Sequence, residues 1–224
     1  MAATEVQTVI QSHVATTVTV TIATAVSGNL LISAFSQDKS AGTITIPTDF
    51  ILINQDVTTD VSVSVAYKIA VGGETSITWT CTGGGGSGGA GWVGEYSGLT
   101  ATPLDQKAEE ANSGSAVTSK STGITGETAQ SNELALAYLA IDSASNFQTG
   151  RAWTNNFSEI DVYVPGSGAA GISIARKDLV ATGTVETTFS TTDTGDQMTA
   201  GVVTFKELVA GAVRLIQLMK MGIG

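Results

Sequence analysis

The chain has very few of the residues that usually build a catalytic or metal site. Among its 224 residues there is one cysteine, Cys81, and one histidine, His13. A single cysteine excludes an internal disulfide and a cluster of thiolate ligands, so we interpret Cys81 as a small buried strand residue. A single histidine ahead of the first predicted strand excludes most Ser-His-Asp and Cys-His arrangements. We expect His13 to be an inert surface residue, and we predict no cofactor and no metal.

Charged and long apolar segments are scarce as well. Charged residues make up 13% of the chain, and the formal net charge is −10. Proteins bind a phosphate backbone mainly through Lys and Arg, so this balance argues against a nucleic-acid partner. No stretch reaches the ~20 apolar residues that span a bilayer, so no membrane partner is expected. The first ten residues lack the basic residues and the apolar run of a secretory signal, which predicts synthesis in a host cytoplasm.

The abundant residues are Thr, Ser, Val, Ala and Gly, which favour strands and tight turns. About ten short segments of strand character follow one another with turn residues between them and no helix between strands. This pattern predicts an all-β fold, an antiparallel β-sandwich of jelly-roll type. A chain of this length can form one such unit around one main core.

The segment 61–99 is the predicted centre of the fold. Apolar residues alternate with small polar residues along 61–71 and again along 76–81, which is the period of half-buried strands. Glycine reaches positive φ without steric cost, so Gly72-Gly73 predicts a tight hairpin between these two strands. Pro47 predicts a bend or an edge strand. Residues 100–130 are expected to form a long loop that contains one short strand at 115–121.

Both chain ends differ from this strand-rich middle. Residues 1–13 are polar with scattered apolar positions and predict an N-terminal arm, and the sandwich domain is assigned to 14–206. In the C-terminal segment, 207–224, apolar residues recur at helical spacing and predict a short amphipathic helix over 207–220. That helix packs on its own domain or docks on a neighbouring subunit. The predicted interface residues are Val6, Val9, Ile10, Leu208, Ala212, Leu215, Ile216 and Met219.

Other segments contain some, but not all, of the residues that a known type of binding or catalytic site requires. The glycine run 83–86 lacks the Lys-Ser/Thr and the helix that follow a phosphate-binding loop, and the turn 193–196 lacks the bidentate Glu of an EF-hand. The carboxylates that could pair for glycoside hydrolysis are Glu95, Glu133, Glu159 and Asp161. The aromatic residues that could stack on a sugar, or belong to the core, are Trp92, Tyr96, Trp153 and Tyr163.

Four short motifs carry a resemblance to a known family. They are Gly91–Leu99 (GWVGEYSGL), Pro103–Asp105 (PLD), Asn132–Leu136 (NELAL) and Gly201–Lys206 (GVVTFK). With these motifs the chain resembles, over roughly 14–206, a β-sandwich family found in tailed-phage virion genes and in bacterial surface or prophage proteins. The resemblance implies a jelly-roll-like module that is displayed on a particle or cell surface, commonly without enzymatic activity. It implies no functional residues, and the terminal helix departs from the family's usual end.

The resemblance and the composition together lead to an expected function. We expect a non-enzymatic phage virion protein, a cement or decoration protein on the capsid surface that binds the outer shell through its terminal segments. Its expected partners are the major capsid protein and other copies of the chain, with a trimer as the first hypothesis. The alternative is a tail-fibre or spike module that binds host-surface carbohydrate. A polysaccharide depolymerase is a third hypothesis.

Overall fold

The computed structural model describes residues 2–14, 16–38, 42–83, 88–142, 147–164 and 168–209. All regular secondary structure in these ranges is β-strand, and the strands form antiparallel sheets stacked in a sandwich. The predicted all-β class is therefore confirmed, and the described residues contain no helix. Glu207, where the helix was expected to begin, is the last residue of a strand. The rest of the predicted helix, from residue 210 onward, lies outside the described residues.

The strands fall into two consecutive sets, which Gly98 alone separates. The first set is β1 (Thr4–His13), β2 (Thr17–Thr21), β3 (Leu30–Asp38), β4 (Ile44–Thr45), β5 (Ile51–Val57), β6 (Val61–Ile69), β7 (Ser76–Cys81) and β8 (Gly89–Ser97). The second set is β9 (Leu99–Glu110), β10 (Ser119–Ser121), β11 (Glu133–Ile141), β12 (Ala152–Trp153), β13 (Ser158–Tyr163), β14 (Gly171–Leu179), β15 (Thr188–Ser190) and β16 (Met198–Glu207).

Each set forms the same pair of sheets. The first set makes a five-stranded sheet, β1-β8-β3-β6-β5, and a three-stranded sheet, β2-β7-β4. The second set makes a five-stranded sheet, β9-β16-β11-β14-β13, and a three-stranded sheet, β10-β15-β12. Each strand of the second set has the same position in its sheet as the first-set strand whose number is lower by eight, so β9 corresponds to β1 and β16 corresponds to β8. The chain is thus built from two successive sandwich units of one topology, unit 1 (β1–β8) and unit 2 (β9–β16).

Local irregularities repeat between the units as well. A register shift interrupts β5 at 52–54 where it pairs with β6, and another interrupts β13 at 159–161 where it pairs with β14. Because a β-bulge depends on a particular local backbone geometry, its recurrence on the corresponding strand supports a structural duplication. The pairing therefore repeats in strand order and in detail.

The two units share their central core. One hydrophobic cluster contains residues of both five-stranded sheets, among them Leu30, Ile32, Val63 and Trp92 of unit 1 and Leu136, Tyr138, Ile174 and Phe205 of unit 2. A second cluster lies within unit 1, and a third lies within unit 2. The layers are therefore a small sheet, two large sheets face to face, and another small sheet. Both faces of each large sheet are covered, which explains why every residue of β3 and of β11 is buried.

Two hydrogen bonds cross between the large sheets from corresponding positions. Asn54 Nδ2 of unit 1 donates to the Tyr138 hydroxyl of unit 2 at 2.7 Å. Asp161 Oδ2 of unit 2 accepts from Trp92 Nε1 of unit 1, also at 2.7 Å. Asn54 and Asp161 follow the register shifts of β5 and β13, so the repeated bulge directs a polar side chain toward an aromatic residue of the other unit.

Several sequence-based predictions differ from the structure. Residues 4–13, assigned to an N-terminal arm, form β1 and pair with β8 from Thr4 to His13. His13 is buried rather than on the surface, and its ring stacks on Phe35 with 5.2 Å between ring centroids. The stretch 14–206, assigned to one sandwich around one core, contains most of two sandwich units. Residues 100–130 begin with the long strand β9, and the expected short strand is β10.

The predicted hairpin at Gly72-Gly73 is wrong. Both glycines have positive φ, 93° and 94°, as a tight turn requires. However, β6 pairs with β3 and β5, whereas β7 pairs with β2 and β4, so the turn carries the chain from one sheet to another. Alternating apolar residues define the faces of a strand but not its partner, and this connection spans the sandwich instead of closing a hairpin.

The Trp92–Asp161 bond gives a test of the contact between the units. Replacing Asp161 with Ala leaves a buried indole N–H without its acceptor, so we expect the free energy of unfolding to fall by about 1–3 kcal/mol in urea titrations. Asp178→Ala is the matched control, because Asp178 is 52% exposed in its ion pair with Arg176 and should contribute less than about 1 kcal/mol. Equal small losses for both variants would contradict a structural role for the bond.

Candidate functional site

The N-terminal residues predicted to form an interface lie on β1, at the edge of the large sheet of unit 1. Val6 is 47% exposed at a register shift in β1. Val9 is partly buried against the core of unit 1, and Ile10 is partly buried against the central core. Because the side chains of β1 alternate in direction, two of the three predicted residues contribute to folding, and only Val6 offers an open apolar surface.

The C-terminal part of the predicted interface is only partly described. The Leu208 amide donates to the Gly98 carbonyl at 2.8 Å, and the Leu208 side chain is half-buried. Val209, which follows it, is 57% exposed. The remaining predicted residues, Ala212, Leu215, Ile216 and Met219, lie outside the described residues.

Both ends of the described chain lie at the same end of the sandwich. Thr4 pairs with Ser97, and Leu99 pairs with Glu207, so the start of β1 and the end of β16 flank Gly98. We call this the terminal end, formed by residues 2–4, Gly98 and 207–209. The sequence did not reveal this arrangement, because the residues that pair here lie more than ninety positions apart.

The terminal end also carries exposed apolar turns. Val71 follows β6 and is 76% exposed, and Val180 follows β14 at the corresponding place and is 85% exposed. Val26, which precedes β3, is 55% exposed. Scattered exposed apolar residues are common, but these three lie at the same end of the sandwich as residues 207–209.

Within the described part of the chain, the four candidate carboxylates share no hydrogen-bond partner. Glu95 is fully buried and accepts hydrogen bonds from Gln7 Nε2 (2.6 Å), Asn29 Nδ2 (2.6 Å) and the Val26 amide (2.9 Å). Burial raises the pKa of Glu95, but these donors outweigh it and hold the pKa below its ordinary value. Glu95 therefore ties β1 and the segment before β3 to β8, which is a structural role.

The other three candidate carboxylates also contact groups inside the fold. Glu133 is fully buried, and burial together with the nearby Asp105 raises its pKa to about 7. Glu159 accepts from Ser173 Oγ at 2.8 Å, and Asp161 accepts from Trp92. The structure thus does not bring these carboxylates together as an acid–base pair across a cleft.

The candidate sugar-stacking aromatics belong to the cores. Trp92 and Tyr96 are buried in the central core, and Trp153 is buried in the core of unit 2. Tyr163 is partly buried against the central core. The Trp153 indole donates to Ser173 Oγ at 3.0 Å inside unit 2. Since three of the four side chains are buried in two different cores, these residues stabilise the sandwich and do not form a common stacking platform.

An acid pair links the two units at the opposite end of the molecule. Asp38 is the buried last residue of β3, and the half-buried Asp142 follows β11, the corresponding strand. Their side chains are close enough to interact. Burial, the bond to Asp38 and the charges of Asp38, Asp196 and Asp60 raise the pKa of Asp142 to about 8. Two carboxyl groups in contact cannot both ionise cheaply, so the pair holds a proton at neutral pH.

Comparison with known proteins does not assign the chain to a family. A scan against protein-family models found no family that matches the chain, and a search of curated proteins found no match. Within the described ranges, no three His, Cys, Asp or Glu side chains are grouped so that they could hold a metal ion. The same ranges contain no helix long and apolar enough to cross a membrane.

The Asp38–Asp142 pair predicts a dependence of stability on pH. The pKa of Asp142 rises from 3.8 to about 8 on folding, so the protein loses stability as pH rises through that interval. Asp142→Asn removes the ionisable group and should raise the melting temperature above that of the wild type at about pH 9. The gain should shrink to nothing below about pH 4.

The exposed carboxylate of Asp193 provides the control for this experiment. Its pKa is lowered by hydrogen bonds from Thr149, so Asp193→Asn should give no gain at high pH. An Asp142→Asn variant with the same melting temperature as the wild type at both pH values would contradict the proton-sharing pair.

Proposed function

We propose that the chain is a non-enzymatic structural protein of a phage virion, a cement or decoration protein that attaches to the outer face of the capsid through its terminal end. The observation that carries this proposal is that residues 2–4 and residues 207–209 lie at one end of the molecule, where three valines are exposed. Exposed apolar side chains of this kind can be covered by a protein–protein contact.

The strand order supports the proposal. In each unit, the first, eighth, third and sixth strands lie in one sheet, and the second, seventh and fourth strands lie in the other. This is the order of an eight-stranded jelly roll, except that the fifth strand joins the larger sheet. Jelly rolls are common in viral capsid proteins and also occur in lectins. The fold alone is an argument by analogy, so the terminal end carries more weight.

The shared central core suits a protein that serves as a rigid body. Both large sheets are covered on both faces, and the units are joined by hydrogen bonds and close packing. A body of this kind can bind a shell through its terminal end without changing its own fold. The proposed partners are the major capsid protein and further copies of this chain, with a trimer as the first hypothesis for the assembled form.

The structure defines where a C-terminal truncation that tests the proposal must end. Glu207 pairs with Leu99 and is buried, so a truncation must leave β16 intact. We expect a chain ending at Val209 to fold with an unchanged melting temperature and to be lost from purified particles, as measured by mass spectrometry of capsids. Thr59→Ala, in an exposed turn at the opposite end, is the control and should be incorporated normally.

Labelling of the same purified particles distinguishes the proposal from the tail-fibre or spike alternative. Immunogold labelling should place the chain on the heads. Full incorporation of the truncated chain, or label on the tails, would contradict attachment to the capsid through the terminal end.

A further inference from the structure

A lysine and two acids meet on the large sheet of unit 2, on the face that points away from the central core. They lie on three neighbouring strands: Asp105 on β9, Lys206 on β16 and Glu133 on β11. Glu133 and Lys206 are direct partners across β11 and β16, so their side chains share a face. Their chain neighbours Leu134 and Phe205 belong to the central core, and alternate residues of a strand point to opposite faces.

The lysine and Asp105 form a loose ion pair. Asp105 stands at a register shift of β9, and its Oδ1 is 3.8 Å from Lys206 Nζ. This distance is longer than a hydrogen bond, so the ammonium is not fixed on the carboxylate oxygen. The side chain of Asp105 is 8% exposed and that of Lys206 is 29% exposed. The pair is therefore largely shielded from water but keeps an opening to solvent beside the lysine.

Glu133 is an acid buried without the contacts that would stabilise its charge. It is fully buried, and in the described part of the chain neither oxygen of its carboxyl makes a hydrogen bond of ordinary length. Burial and the nearby carboxyl of Asp105 raise the pKa of Glu133 to about 7, and the neighbouring Thr204 offsets this shift only in part. A group with such a pKa can accept and release protons at neutral pH.

The carboxyl of Asp105 is held for attack at its carbon. The Ala129 amide donates to Asp105 Oδ2 at 2.7 Å, which leaves Oδ1 as the oxygen beside Lys206. When a nucleophile adds to a carbonyl carbon, negative charge develops on the oxygen that stays. A backbone N–H directed at that oxygen stabilises the charge. A lysine amine is a nucleophile of the kind that adds to such a carbon.

This combination of groups occurs in unit 2 and not at the corresponding positions of unit 1. The positions follow from the matching strand pairs Leu30–Tyr96 and Leu134–Phe205 and from the register shifts of β1 and β9. In unit 1 they hold Val6, Asn29 and Ser97. The shared topology therefore does not require a lysine and two acids here.

A lysine–carboxylate pair of unit 1 shows the contrast. Lys68 Nζ lies 3.0 Å from Glu74 Oε1, and the Glu74 carboxylate also accepts from the amides of Val71 (2.9 Å) and Gly72 (3.0 Å). Burial opposes the charge, but these donors and Lys68 outweigh it and lower the pKa of Glu74 to about 2. Glu74 therefore stays ionised, and an ionised carboxylate resists attack by an amine. This pair is expected to remain a salt bridge.

We propose that Lys206 and Asp105 condense to an amide, an isopeptide cross-link between β16 and β9, with Glu133 as the proton carrier. Lys206 Nζ forms a bond to Asp105 Cγ, and the bond from Cγ to Oδ1 breaks. Two of the three ammonium protons leave with Oδ1 as one molecule of water, and Glu133 passes them from the nitrogen to the oxygen. The ion pair already contains every atom of the amide and the water, so no other reactant is required.

The cross-link fastens β16, the last strand of the described chain, to β9, the first strand of unit 2. It closes the loop 105–206 covalently, next to residues 207–209 of the terminal end. A cross-link of this kind restricts the unfolded chain and so stabilises the fold. The assignment does not depend on a capsid location and goes beyond the proposed attachment through the terminal end.

Mass spectrometry of the denatured full chain tests this assignment. We expect a mass about 18 Da below the value calculated from the sequence, because the condensation releases one water. After digestion with trypsin, the linked Lys206 should resist cleavage. Its peptide, 178–214, should be joined to the peptide 69–107 that contains Asp105.

Two variants remove the reaction. Lys206→Arg keeps the positive charge but replaces the amine with a guanidinium that stays protonated, and Glu133→Gln keeps the shape but cannot carry a proton in the same way. Both should show their full calculated mass, with folding checked by circular dichroism. Lys68→Arg is the matched control from the ion pair of unit 1 and should keep the loss of about 18 Da.

The assignment is overturned if the wild-type chain has its full calculated mass. It is also overturned if the loss of water persists in Lys206→Arg or in Glu133→Gln, or if the linked peptides do not contain Asp105 and Lys206.

Discussion

The structure depends on the burial of two large sheets that are apolar on both faces. In each unit, the small sheet covers one face of the five-stranded sheet, and only the other unit covers the second face. Residues such as Leu30, Trp92, Leu136 and Phe205 would be exposed to water in an isolated unit. Burying an apolar side chain of this size is worth about 1.5–3 kcal/mol, so the central layer contributes strongly to the stability of the pair. The two units are therefore parts of one cooperative body.

The duplication explains where polar residues enter this apolar layer. Asn54 and Asp161 occupy corresponding positions after the two bulges, and each bonds an aromatic residue of the opposite unit. Asp38 and Asp142 stand at the ends of corresponding strands and meet as an acid pair. Positions where the units differ are then informative about function. The terminal end is an asymmetric feature, since residues 2–4 of unit 1 and residues 207–209 of unit 2 flank Gly98 there.

The sequence predicted the class of fold because strand periodicity and turn residues are local signals. It did not reveal the duplication, since the units share their topology more than their residues. A signal was present in Val65–Lys68 (VAYK) and Ile174–Lys177 (IARK), which lie on the corresponding strands β6 and β14. Local patterns do not identify the partner of a strand, so the sequence predicts a hairpin at Gly72-Gly73 where the structure has a connection between two sheets. The Asp38–Asp142 pair and the convergence of the chain ends arise from long-range packing, which no local pattern encodes.

Differential scanning calorimetry of the intact chain tests most directly whether the central layer joins the units into one body. If the large sheets stabilise each other, the chain unfolds in one transition whose calorimetric and van't Hoff enthalpies agree, with a ratio of about one. Two separate transitions, each with about half of the total enthalpy, would show that the units fold independently and would contradict the account.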